Sequence, residues 1–156
     1  MALGALISAY QEDDQGGLRA LFPLAGRTLV EYQARCAAAA GAAPIIVLVE
    51  RVPVALNDAF DRLRAEGVAV VPVSDGNEAA SRFEAGTLVL QIADGLAPDF
   101  ALCARLADHA EPAVALTPDD EQHEAHGRGD GTSRWGGLSL IGSQRLSSTA
   151  RMRWRG

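Results

Sequence analysis

The sequence predicts an α/β protein, a three-layer sandwich built on a mostly parallel central sheet, and two observations carry that expectation. From Leu3 to Leu116, short apolar runs alternate with stretches whose apolar residues recur at helical spacing. The apolar runs are continuous, as strands covered on both faces require. Such alternation implies crossover connections, with ligands expected beyond the carboxyl ends of the strands.

Leu3 to Ala9 reads as a short central strand that empties into a polar loop ending Gly16-Gly17-Leu18-Arg19. Thr28 caps a helix on which Leu29, Tyr32, Cys36 and Ala40 share one side until Gly41 ends it. Pro44 to Glu50 is the clearest strand. Pro53 suits a first helical turn, and its helix places Leu56, Phe60 and Leu63 on one face before Gly67 stops it. Val68 to Val73 is a third strand, followed by Ser74-Asp75-Gly76-Asn77 and a short helix through Phe83. Thr87 to Ala93 is a fourth, closed by Asp94-Gly95. A helix from Pro98 to Ala110 turns Phe100, Cys103 and Leu106 inward, and Ala113 to Leu116 makes a fifth strand. After Pro118 the periodicity is lost. Asp119 to Ser133 is polar and glycine-rich, an exposed loop, and Trp135 to Ile141 forms one last strand.

A length of 156 residues suits one domain with a proper core, and 48% apolar with 22% charged residues is a globular composition. A net charge of −6 draws the molecule to neither nucleic acid nor anionic membrane. No apolar run is long enough to span a bilayer, and the first residues lack the basic region and cleavage site of a secretory signal. A cytoplasmic protein is expected, with Cys36 and Cys103 as reduced, buried thiols.

A strand that leads through a glycine-containing loop to a helix suits phosphate, because backbone N–H groups face the anion and glycine lets the chain come close. The segment Ala20-Leu21-Phe22-Pro23-Leu24-Ala25-Gly26-Arg27-Thr28-Leu29-Val30-Glu31 resembles the opening of the nucleotidyltransferases of the nucleotide-diphospho-sugar transferase (glycosyltransferase A-type) fold, whose second block reads K-x-L-L-P-L-x-G-K-P-L-[LIV]-E. These include molybdopterin cytidylyl- and guanylyltransferases and methylerythritol-phosphate cytidylyltransferase. The resemblance covers residues 3–117 and implies a Rossmann-like nucleotide-binding half there; composition gives an exposed loop over 118–134, and 135–156 is expected to form a short strand, antiparallel as in the family, with a frayed tail.

The same resemblance implies Mg²⁺-dependent transfer of a nucleoside monophosphate from a nucleoside triphosphate to a phosphate- or hydroxyl-bearing acceptor. Asp94 stands where the family ends a strand in a metal-binding aspartate, and a carboxylate there holds Mg²⁺ against phosphates. Arg19 and Arg27 match lysines of the second block, which keeps the charge and alters its geometry. They are the fixed cations that phosphoryl chemistry needs. Ser8, Ala9, Gly16 and Gly17 fall in the first block, A-A-G-x-G-x-R, and Asp75, Gly76 and Ser81 where relatives read the base or hold phosphates. An Asp opening a turn, exposed arginines and a helix cap explain the same letters without a ligand.

The first block departs from the family. Tyr10 takes the place of its first glycine, and Glu12-Asp13-Asp14 stands where a triphosphate should lie. Like charges about 4 Å apart repel by roughly 1 kcal/mol in water and by about 4 near a protein surface. The triplet therefore points to solvent, or binds a further cation, or the site no longer takes a triphosphate. His123-Glu124-Ala125-His126 is a metal alternative set in a solvated loop, and the basic tail with Trp154 a weak nucleic-acid one. Relatives continue further toward an acceptor-binding region, so a truncated relative or a shortened variant is expected, with a homodimer covering an exposed edge. Three readings stay open: an active nucleotidyltransferase, an inactive binding or assembly module of the same fold, and an unrelated doubly wound domain.

Overall fold

The computed structural model describes residues 2–117 and 134–146. Within them, β1 (Leu3–Ser8) leads to a two-residue hairpin of β2 (Pro23–Leu24) and β3 (Arg27–Thr28), then α1 (Leu29–Ala39) and β4 (Ile45–Leu48). There follow α2 (Val54–Ala65), β5 (Val70–Val73), α3 (Gly76–Ser81), β6 (Leu88–Ile92), α4 (Phe100–Ala107), β7 (Ala113–Thr117) and β8 (Arg134–Gly142). Among the described residues one six-stranded sheet has the order β5-β4-β1-β6-β8-β7. β1 pairs in parallel with both β4 and β6, so the first and fourth long strands lie side by side at the centre. β8 is antiparallel to β6 and β7, which leaves it the one reversed strand of this sheet.

Each strand's side-chain alternation sorts its residues between two cores. Ala5 and Ile7, Ile45 and Val47, and Leu88, Leu90 and Ile92 face a large cluster with Val30, Ala34, Ala37, Leu56, Phe60, Leu63, Cys103 and Leu106, so α1, α2 and α4 cover one side. Leu6, Ile46 and Val89 face the other side, under Ala79 of α3, Phe83 and Leu146. The continuous apolar runs are thus the two faces interleaved. At Gly4 a side chain would overlap the Phe83 ring, so glycine there lets the chain after α3 press onto β1.

The elements read from the sequence are present, most of them shorter. The helix expected to reach Ala110 ends at Ala107, and Phe100, expected inward, is 45% exposed, set edge-on to Tyr32 with ring centroids 5.6 Å apart. It is the first residue of α4, before the helix has turned toward the sheet. Cys36 and Cys103 are both buried and free, as expected. No helix among the described residues is long and apolar enough to cross a membrane. The loop expected over 118–134, apart from Arg134, the histidine cluster within it, and the tail beyond Leu146 lie outside the described residues.

Candidate functional site

Because β1 and β6 are neighbours in register from Leu3↔Leu88 to Ile7↔Ile92, their carboxyl ends release two segments at one place. One is Ala9 to Leu18, the other Ala93 to Pro98. Asp94 joins them. Its Oδ2 accepts hydrogen bonds from the backbone N–H of Tyr10 at 2.7 Å and of Gln11 at 2.6 Å. Its Oδ1 is buried and has no hydrogen-bond partner among the described residues. Burial pushes the Asp94 carboxyl up from the usual carboxylate range, against the downward pull of the Gln11 and Tyr10 amides and the Arg19 charge.

Arg19 reaches the same place from the far end of the loop. Its Nη1 donates to Gln11 Oε1 at 3.3 Å, and its Cδ lies 3.3 Å from where a side chain on Gly95 would begin. Gly95 has φ +74°, a left-handed conformation that glycine adopts freely, so the bare backbone lets the arginine pass over the turn.

Two members of the acidic triplet, Glu12 and Asp13, have partners on the protein itself. Glu12 is paired with Arg51 at 2.6 Å, and Arg51 also donates to the Gly16 carbonyl at 3.3 Å. Asp13 Oδ1 accepts from Gln15 N and Gly17 N, both at 2.9 Å, which holds its carboxyl below the usual range. Asp13 N donates to Gly17 O, Gly16 N to Asp13 O, and Arg19 N to Gln11 O. The amides of Tyr10, Gln11, Asp13, Gln15, Gly16, Gly17 and Arg19 are therefore all engaged inside the protein. Tyr10, in the place of the family's first glycine, is half-buried, and burial together with Asp94 and Glu50 pushes its phenol up.

The turn that carries Asp94 is clamped from two directions. Gln33 of α1 is buried and its Nε2 donates to Ala93 O at 3.1 Å and Leu96 O at 2.7 Å. Tyr32 Oη donates to Pro98 O at 2.7 Å, and Ala93 N donates to Gly137 O of β8 at 2.8 Å. Neither Gln33 nor Arg51 was expected from the sequence. For Gln33 a signal existed: it stands four residues after Leu29 and three before Cys36, a lone amide on an apolar helical face.

The other expected residues lie elsewhere or serve local structure. Arg27 of β3 is ion-paired with Glu66 and lies 3.8 Å from Glu31, between the hairpin and α2. Ser8 and Ala9 close β1, with Ala9 N donating to Leu48 O at 2.9 Å. Asp75 caps α3 by accepting from Asn77 N and Glu78 N, and Ser81 Oγ donates to Glu78 O, beside β5 at the sheet's margin. Asp94, Arg19 and the loop that holds Gly16 and Gly17 thus lie at the carboxyl ends of β1 and β6, and the Asp75 cluster follows β5, two strands from β1.

Among the described residues no three His, Cys, Asp or Glu side chains gather to hold a metal. Asp94 Oδ1, buried and without a hydrogen-bond partner among the described residues, is a hard oxygen that would hold Mg²⁺ once turned toward a ligand, since that ion commonly binds one or two carboxylates and completes its shell with phosphates and water. The donor set fits Mg²⁺ on those terms.

No family model matches this chain, and no curated protein matches it in sequence. Solved structures do match. A nucleotidyl transferase from Methanothermobacter thermautotrophicus superposes with a TM-score of 0.62 at 16% identity, over 97% of this chain and 76% of its own. A Mycobacterium tuberculosis protein solved as a manganese complex gives 0.62 at 14% identity, over 97% of this chain and 77% of its own. The 4-diphosphocytidyl-2C-methyl-D-erythritol synthase of Anaerococcus prevotii gives 0.61 at 14%, over 99% and 79%. Identities this low speak for the fold alone. With its central β1–β6 pair, its reversed β8 and these neighbours, the chain has the nucleotide-diphospho-sugar transferase fold, the α/β scaffold of nucleotidyltransferases.

Proposed function

We propose that this chain binds a nucleoside triphosphate with Mg²⁺ across the mouth between β1 and β6 and transfers the nucleotidyl group to a small phosphate- or hydroxyl-bearing acceptor. The observation that carries the reading is Asp94 Oδ1, buried and unpartnered beside Arg19 at the strand end where this fold places its ligand. Bound there, Mg²⁺ supplies neutralisation of the phosphate charge. An acceptor oxygen forms the new bond to the α-phosphorus as the bond to the pyrophosphate leaving group breaks. Arg19 holds phosphate oxygens that gain charge in that step, whereas Arg27, held by Glu66 and Glu31 between the hairpin and α2, takes no part in it. Ser8 and Ala9 lie along the nucleoside, Gly16 and Gly17 along the phosphates, and Asp75, Gly76 and Ser81 read the base from the β5 side. The protein works in the cytoplasm on small molecules, with neither nucleic acid nor membrane as partner, and a second copy covers a sheet edge.

A second reading has its own observation. The loop amides that would meet phosphates already have partners, which favours an inactive member of the fold acting as a binding or assembly module. One titration separates the two. CTP, GTP, ATP and UTP are added with and without Mg²⁺ while the melting temperature is followed. The first reading expects a metal-dependent rise with one nucleotide, a stabilisation of about 2.7 kcal/mol at a hundred times its dissociation constant. A flat response to all four leaves the second.

A further inference from the structure

We infer that Asp94 is an internal substitute for phosphate: its carboxylate fills an anion seat made by the Tyr10 and Gln11 amides, and a pyrophosphate-bearing ligand binds by displacing it. The inference rests on the nucleotide-site reading for the identity of that ligand. Two consecutive N–H groups that converge on one oxygen, at 2.7 and 2.6 Å, form the concave arrangement that binds anions elsewhere. Here the anion is supplied by the chain, from a residue 83 positions away in sequence from Gln11. Arg19 stands beside the seat and suits phosphate as well as carboxylate.

The carboxylate is held incompletely. Oδ2 takes the Tyr10 and Gln11 bonds, while Oδ1, with the Gly95 amide exerting only a minor pull on the carboxylate, is buried without a hydrogen-bond partner among the described residues. A phosphate oxygen offers the two amides at least as good an acceptor, and the displaced Asp94 gains water or a cation for both of its oxygens. The neighbouring turn does not have to open. Asp13 keeps Gln15 and Gly17, so displacement is confined to Tyr10, Gln11 and the Asp94 side chain. Asp94 consequently has opposite effects on two ligands. It holds Mg²⁺ with a nucleotide, and it excludes a metal-free polyphosphate.

The experiment is calorimetric titration of sodium pyrophosphate in the presence of chelator, with the whole chain and its variants. Asp94→Ala frees both amides and is expected to tighten metal-free pyrophosphate binding about tenfold or more over the unsubstituted protein. Asp94→Asn keeps a neutral, weaker acceptor and falls between the two, and it decides the outcome should Asp94→Ala fail to fold. Asp14→Asn removes the same charge from the facing loop after β1 without releasing an amide, and it should leave the affinity near that of the unsubstituted protein. Equal affinity in the Asp94 variants and the unsubstituted protein overturns the inference, as does an equal gain in Asp14→Asn. Failure of the function reading looks different: no nucleotide with Mg²⁺ raises the melting temperature, whatever the variants do with pyrophosphate.

Discussion

A carboxylate buried at the start of a helix is destabilising unless several donors meet it, and Glu31 meets four: Thr28 N and Oγ1 at 2.9 and 2.6 Å, and Arg62 Nε and Nη2 at 2.9 and 3.0 Å. Burial alone would raise its carboxyl, but the Arg62 and Thr28 hydrogen bonds outweigh it and hold the group down from 4.5 to about 2. A carboxylate lowered in the folded state stabilises fully above its unfolded value, and that stabilisation is lost as pH falls from about 4.5 through about 2. Urea denaturation of Glu31→Gln at pH 7 should show a loss of about 1–3 kcal/mol, the lower part of the range reflecting the half-exposed Arg62. The variant's stability should also change less than the parent's between pH 5 and about 2.5. A parallel pH dependence in the two proteins would remove Glu31 from that role. The two arginines of the expected site diverge for a comparable reason: Arg19 donates to the neutral Gln11 amide and faces Asp94, whereas Arg27 has two carboxylates within reach. Since the chain contains no lysine, an arginine at either place says nothing about selection of that cation for catalysis.

At the scale of elements, the segment from Pro23 to Glu31 is one folding unit. Ala25 and Gly26 have φ of +51° and +78°, the paired left-handed residues of a two-residue hairpin turn, and Thr28 with Glu31 then forms a reciprocal cap on α1. The cap was legible in the sequence because Thr followed three residues later by Glu is a local signal. The hairpin was not, because Ala-Gly is a weak version of the Asn-Gly signature. Alanine at positive φ is strained where asparagine is tolerated. Ala25→Asn is therefore expected to raise stability by about 0.5–1 kcal/mol in urea denaturation, and a loss would show that another contact fixes this turn. The loop of Glu12 to Gly17 was read from charges alone. Sequence shows three adjacent acids, but only the fold brings Arg51 from the β4–α2 connection to Glu12 and turns Asp13 onto its own amides.

For the whole molecule, the mostly parallel sheet with helices on both sides was the deepest feature that sequence pattern reached, and the strand order was not read from it. The continuous apolar runs and their helical partners give parallel strands, and the adjacency of β1 and β6 follows once the fold resemblance is accepted. The resemblance itself was strongest in the Leu21 to Glu31 block, which builds the hairpin, the cap and the α1–α2 ion pairs rather than the mouth. A scaffold can be legible while its chemistry is not, since folding constrains neighbours in the chain and a site joins strangers such as Gln11, Gln33 and Asp94. The Asp13 turn carries one more consequence. Polyphosphate loops that lack internal acceptors take shape around their guest, but this one is knitted before any guest arrives. In deuterium exchange the amides of Gln15, Gly16 and Gly17 should accordingly be retarded in the bare protein, and adding a saturating guest should slow them little further.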